Sequence, residues 1–114
     1  MHHPTMNYKI KSRIWIESEE GMFLGNGRVR LLKAIEETGS LSKAAKSMKL
    51  SYKKAWNLID SVNNNAKEPI VITTTGGKDG GGAQVTPYGK ELIKQFETIN
   101  NETIAFLNKQ NPFD

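Results

Sequence analysis

The chain has 114 residues, 37% of them hydrophobic, no cysteine and a formal net charge of +4. That suits one domain with a modest core and excludes disulfides, thiolate metal sites and cysteine nucleophiles. Its two histidines, His2 and His3, sit at the N-terminal tip, so neither a histidine-based catalytic centre nor a zinc site is expected, and the chain does not read as an enzyme.

No apolar run reaches about 18 residues, and the opening MHHPTMNYKI holds no apolar export segment. A cytoplasmic protein with no membrane partner is the expectation. Residues 1–7 are expected to form a disordered tip. From Lys9 to Glu17 the residues alternate, with Ile10, Ser12, Ile14 and Ile16 on one side, which predicts a half-buried strand. Trp15, on the other side, reads as a packing residue at an edge or a subunit contact. Ser18-Glu19-Glu20-Gly21 has turn chemistry, and Met22-Phe23-Leu24 is placed to pair back as a hairpin. Gly25-Asn26-Gly27 then breaks the strand. Asn26 is the predicted cap of a helix over Arg28 to Thr38, with Val29, Leu32 and Ile35 inward and Gly39 as its stop.

The stretch from Ser40 to Ser61 carries the strongest pattern. Leu41, Ala44, Ala45 and Met48 fall at i, i+3, i+4 and i+7, and Tyr52, Ala55, Trp56 and Ile59 repeat that spacing after a break at Lys49-Leu50. Two short helices around a tight turn, with small alanines for close approach and Leu50 plugging the corner, make a helix-turn-helix. Ser40 or Ser42 is the expected cap of the first helix. Ser51 is the cap of the second or a phosphate contact at its N-terminus. Tyr52 and Trp56 are expected to pack inward, a base-stacking platform being the alternative, with the Tyr52 hydroxyl expected to reach the phosphate backbone of a bound nucleic acid.

Charge singles out the same stretch. Five lysines (Lys43, Lys46, Lys49, Lys53 and Lys54) and no acid lie between Ser40 and Leu58, a positive face suited to a polyanion. Lys53, Lys54, Asn57, Asp60, Ser61 and Asn64 form the predicted outward set of the second helix. Asn57 pairs well with adenine and lysine with guanine, whereas Asp60 repels phosphate and marks where contact ends.

Beyond Asn63-Asn64-Asn65 and Pro69, the β-branched run Ile70 to Thr75 predicts a strand, and Gln84-Val85 a return strand. Between them the glycine-rich Gly76 to Gly82, with Lys78 at its tip, reads as a wing whose backbone approaches another molecule. A nucleotide-cradling loop is not supported, because Asp79 follows Gly77-Lys78 where Mg²⁺ ligation needs Ser or Thr. Thr86-Pro87 starts a helix to about Asn108. Along it Leu92, Phe96, Ile99, Thr103 and Phe106 recur at heptad spacing, which predicts a homodimer seam; the alternative is a helix folded back on its own domain. The predicted architecture is α+β, mainly α: a winged helix-turn-helix domain over 8–90 with a short N-terminal strand or hairpin, a β wing, and a long dimerisation helix and tail over 91–114.

The runs LLKAIEETGSLSKAAKSMKLSYKKAWNLIDSVN and TTTGGKDGGGAQVTPYGKELI, within about Leu31 to Phe96, resemble the N-terminal DNA-binding domain of the ModE family of molybdate-responsive transcription regulators. They are more distantly similar to LysR-type winged helices. The resemblance implies a winged helix-turn-helix that binds operator DNA as a dimer, with Ser51, Tyr52, Lys53, Lys54 and Asn57 at the recognition helix and Gly76 to Gly82 as the wing. Members of that family append oxyanion-binding domains after the long helix; this sequence stops at Asp114, so no oxyanion site and no cofactor are expected. One departure is Lys49 at the turn, where many helix-turn-helix proteins place glycine.

The expected function is sequence-specific binding of double-stranded DNA by a transcription regulator. Lys43, Lys46, Lys54 and Lys78 would hold phosphates, Lys53 and Asn57 would read bases, and Ser42 completes the contact set. A winged-helix module for protein association is the alternative.

Overall fold

The structure is a computed structural model that describes residues 6–74 and 82–113. Residues 1–5 of the expected disordered tip lie outside the described residues, as do Gly76 to Gly81 of the expected wing, including Lys78. The elements run β1 (Trp15–Ser18), β2 (Gly21–Gly25), α1 (Asn26–Thr38), α2 (Leu41–Ser47), α3 (Tyr52–Asn64), β3 (Val71–Thr73), β4 (Ala83–Val85) and α4 (Pro87–Lys109). Two separate antiparallel pairs, β1–β2 and β3–β4, flank the helices. This is the predicted mainly helical winged helix-turn-helix.

The expected N-terminal strand is much shorter than its alternation suggested. Only Trp15 to Ser18 pairs with β2, with a register shift between Ile16 and Glu17. The backbone of the preceding residues finds partners elsewhere: Ile10 N–H donates to Asn108 Oδ1 at 2.9 Å, and Asn108 Nδ2 donates to the Ile10 carbonyl at 2.9 Å. Asn111 Nδ2 donates to the Tyr8 carbonyl at 2.8 Å. The segment therefore runs along the far end of α4 instead of extending the hairpin. Ile16 and Trp15 remain exposed, so Trp15 is not a core residue.

Helix α1 begins at Asn26 rather than being capped by it. Gly25 occupies the cap position and no side chain caps the helix; Asn26 is already inside the first turn. At the other end Gly39 adopts φ 68° and its N–H reaches the Ile35 carbonyl at 2.8 Å, the left-handed stop that glycine favours. The Gly39 carbonyl accepts from Ala83 N–H at 3.0 Å, fastening the wing to the junction between α1 and α2. Val29, Leu31, Leu32 and Ile35 of α1 are buried with Leu41, Ala44 and Ala45 of α2 and Ala55, Ile59 and Val62 of α3. These side chains form the centre of the core, which Leu24, Ile70, Val71, Ala83, Val85, Ile93 and Phe96 complete.

Of the two candidate caps for α2, Ser40 is the one used: its hydroxyl accepts from Lys43 N–H at 3.1 Å. The turn into α3 is a Schellman closure, with Leu50 N–H on the Ala45 carbonyl at 2.9 Å and Lys49 N–H on the Lys46 carbonyl at 3.1 Å. Lys49 holds the left-handed position at φ 58°, a strain of about 1–2 kcal/mol for a residue with a Cβ. Leu50 packs against the core beside it.

Helix α4 starts as expected, with Thr86 accepting from Gly89 N–H at 3.0 Å and Pro87 in the first turn. It meets the body through its first half only. Ile93 and Phe96 are buried, and Lys33 of α1 pairs with Glu97 at 2.7 Å. That hydrogen bond, and then the Glu97 charge, raise the Lys33 pKa. Both groups are solvent-exposed, so the pair contributes little to stability. Beyond Phe96 no described residue is buried, and the Cα radius of gyration is 17.9 Å, against about 13 Å for a compact chain of roughly 100 residues.

Candidate nucleic-acid interface

Two helices present the lysine-rich surface. On α2 the buried Leu41, Ala44 and Ala45 turn Ser42, Lys43 and Lys46 to solvent, and on α3 the buried Ala55, Ile59 and Val62 leave Ser51, Lys53, Lys54 and Asn57 exposed. The only ion pair among the described residues is Lys33 with Glu97, so no described carboxylate neutralises any of the five lysines by direct pairing. The N-terminus of α3 opens on this surface. Ser51 caps it by accepting from Lys54 N–H at 3.1 Å. Its hydroxyl hydrogen is left over, so the cap and a phosphate contact are compatible roles.

The structure corrects the placement of Tyr52 and Trp56. Both are exposed, at 57% and 46%, not packed inward. The buried stripe of α3 runs through Ala55, Ile59 and Val62; Trp56 lies about 100° round the helix from Ala55, and Tyr52 opens the helix ahead of the core. The two aromatic side chains thus flank the lysine face.

Ser51, Lys53, Lys54 and Asn57 are brought together in one shallow depression, which Leu58 and Arg28 of α1 complete. Sequence reasoning did not find Arg28, because no periodicity reports which residue of one helix leans on another. A second depression collects Glu20 of the hairpin turn with Asn57, Asp60, Ser61, Asn64 and Asn65. There the acids Glu20 and Asp60 adjoin the second half of α3, so the surface favourable to a polyanion ends near Asn57.

Two asparagines hold this arrangement, and neither was predicted. Asn63 Oδ1 accepts from Ile70 N–H at 2.8 Å and Val71 N–H at 3.1 Å, while its Nδ2 donates to the Val71 carbonyl at 3.0 Å. It ties the end of α3 to the first wing strand. Asn65 Oδ1 accepts from the Ser18 hydroxyl, tying the same end to the hairpin. At the wing base Thr74 N–H donates to the Gly82 carbonyl at 2.8 Å, and Gly82 N–H to Thr74 Oγ1 at 2.9 Å.

Of the predicted seam, Phe96 belongs to this domain's own core, at 2% exposure, and Leu92 packs against it. The helix lies over the core at that level, which uses the inner part of the heptad stripe. Ile99 and Phe106 remain exposed at 51% and 62%, with the partly exposed Thr103 between them.

The family description "bacterial regulatory helix-turn-helix protein, lysR family" matches residues 27–90, from the first turn of α1 through the helix-turn-helix and both wing strands to the start of α4. The chain belongs to that family. Among curated relatives, it is 41% identical over 101 residues to the molybdenum transport protein ModE of Azotobacter vinelandii, covering 89% of this chain and 37% of the relative. It is 38% identical over 84 residues to the DNA-binding transcriptional dual regulator ModE of Escherichia coli K12, covering 74% of this chain and 32% of the relative. The lysR-family chain thus spans about a third of the length of these relatives. Among solved structures, MepR of S. aureus in complex with DNA superposes with a TM-score of 0.55 at 18% identity, over 77% of this chain and 65% of that one. A LysR family transcriptional regulator superposes at 0.51 with 16% identity, over 68% of this chain and 25% of that one. Both likenesses confirm the fold. Among the described residues, no helix of this lysR-family protein is long and apolar enough to cross a membrane.

Proposed function

We propose that this chain is the operator-binding part of a cytoplasmic transcription regulator and that it holds double-stranded DNA as a homodimer. The observation that carries the reading is the exposed lysine-rich surface of α2 and the first half of α3, paired with no acid among the described residues, on a winged helix-turn-helix. Lys43, Lys46 and Lys54 contact phosphates, helped by Ser42 and the Ser51 and Tyr52 hydroxyls; Lys53 and Asn57 read base edges in the major groove. Relatives described as transcriptional regulators, and a fold neighbour solved with DNA, support it.

Binding to a selected duplex and to a random duplex across a salt series tests this directly. Affinity is expected to fall steeply with salt on both. Lys43→Ala is expected to weaken both duplexes alike, and Asn57→Ala to cost about 1–3 kcal/mol on the selected duplex only. Equal loss on both for Asn57→Ala removes its base-reading role.

The exposed Ile99 and Phe106 on the projecting half of α4 are the proposed contact between two copies. Such a dimer sets two recognition helices about 34 Å apart on one face of DNA. Sedimentation equilibrium is expected to find a dimer for the unmodified chain and a monomer for Phe106→Glu, because a buried unpaired carboxylate is strongly unfavourable. A monomeric unmodified chain, or an unaffected Phe106→Glu dimer, rules this seam out.

A further inference from the structure

Arg28 is the one residue of the depression beside α3 that comes from another helix. It is half-buried in the first turn of α1, and it lines the depression with Ser51, Lys53, Lys54, Asn57 and Leu58. Its guanidinium is held but poorly satisfied. Nη1 donates to Met22 Sδ at 2.8 Å, and a thioether is a weak acceptor. Nε is buried with no hydrogen-bond partner among the described residues. No described acid lines the depression, and Arg28 takes part in no ion pair among the described residues. A buried charged donor without an acceptor is unfavourable; Nε itself is closed to solvent, so an anion would meet the head through its Nη groups, whose one bond among the described residues is to a weak thioether acceptor.

From these facts we infer that Arg28 grips the DNA phosphate next to the recognition helix and so fixes how α3 sits in the major groove. The inference rests on the DNA reading above. Geometry favours phosphate over base: Lys53 and Asn57 occupy the outward side of α3, whereas Arg28 is recessed on its flank, where the wall of the groove runs. A planar guanidinium matches phosphate oxygens two at a time. The Met22 thioether supports the head from the hairpin side without competing for its charge. Through this contact β2 and α1, which carry none of the predicted DNA contacts, would take part in the interface.

The test compares the unmodified chain, Arg28→Met and Arg28→Lys on a selected and a random duplex of equal length, between about 50 and about 200 mM salt. Arg28→Met keeps the apolar stem and is expected to bind both duplexes about tenfold more weakly at low salt. Its slope of log affinity against log salt is expected to become shallower by about 0.9, one phosphate contact. Arg28→Lys keeps the charge and is expected to restore the slope while recovering only part of the affinity. It also serves as the readout should the methionine variant melt early. An unchanged affinity and slope in Arg28→Met, or Arg28→Lys matching the unmodified chain in full, overturns the clamp. Loss on the selected duplex alone overturns the phosphate assignment. Failure of the unmodified chain to bind either duplex instead overturns the DNA reading, and this inference with it.

Discussion

Gly89→Ala is expected to destabilise the protein by about 2 kcal/mol, the opposite sign from what helix propensity dictates. Gly89 lies in the first turn of α4, where alanine would ordinarily gain up to about 1 kcal/mol. A Cβ there would stand 2.6 Å from the Ile70 carbonyl oxygen and 2.9 Å from both Ile70 Cγ2 and Val85 Cγ1. That carbonyl cannot swing aside freely, since it accepts from Thr86 N–H at 2.9 Å, a bond that helps seat α4 on the wing strands. Either α4 lifts from Ile70 and Val85 or the Thr86 contact opens. Thermal melting decides the matter, with a fall of roughly 4 °C per kcal/mol for a domain of this size. Gly27→Ala is the internal control, because a Cβ added at Gly27 would meet nothing within 4 Å; it is expected to be neutral or slightly stabilising. A Gly89→Ala protein that melts at or above the unmodified temperature would mean that the approach of α4 to β3 is loose.

Removing the Asn63 amide is expected to be costlier, about 3 kcal/mol for Asn63→Ala. The side chain makes three bonds to the backbone of Ile70 and Val71, two residues that are themselves buried. Truncation leaves two donors and an acceptor to find water or go unpaired, at about 1–3 kcal/mol per unsatisfied group. Among the described residues the Asn64 side chain next to it bonds only Asp60, at 3.3 Å on the surface, and Asn64→Ala is expected to change stability by less than about 0.5 kcal/mol. Because Asn63 joins α3 to β3, its loss is also expected to weaken the proposed DNA binding in whatever fraction stays folded. A cost below about 1 kcal/mol would show that water replaces the amide and that the strand is held by its other contacts.

How far the sequence could be read depended on whether a feature is local. The stop at Gly39, the cap and proline at Thr86-Pro87, and the inward alanines of α2 are fixed by neighbours within a turn, and each was legible. Lys49 was legible as a problem because it stands at the turn position where many helix-turn-helix proteins place glycine. The face of Trp56 was not, because apolar spacing alone admits both a stripe through Tyr52 and Trp56 and one through Ala55, Ile59 and Val62; only packing against α1 chooses. The run of asparagines at 63–65 reads as a helix end, and nothing in it says that Asn63 and Asn65 reach the wing and the hairpin. Arg28 and Gly89 are similar cases, since their roles arise where α1 meets α3 and where α4 meets Ile70. Alternation likewise overextended the first strand, since the Asn108 amide that occupies the Ile10 backbone lies 98 residues away.

That same Asn108 clasp has a practical consequence. It brings the two ends of the described chain together, with Tyr8 and Phe113 in edge contact at 6.3 Å between ring centroids. They meet at the tip of α4, about 30 Å along the helix from Gly89. Whatever is joined before Met6 or after Phe113, whether an affinity tag, a fluorescent protein or a further domain, leaves the molecule from one shared exit at that tip. A loop joining the two ends would need to bridge only a short gap, which makes the chain a candidate for circular permutation with new ends opened elsewhere.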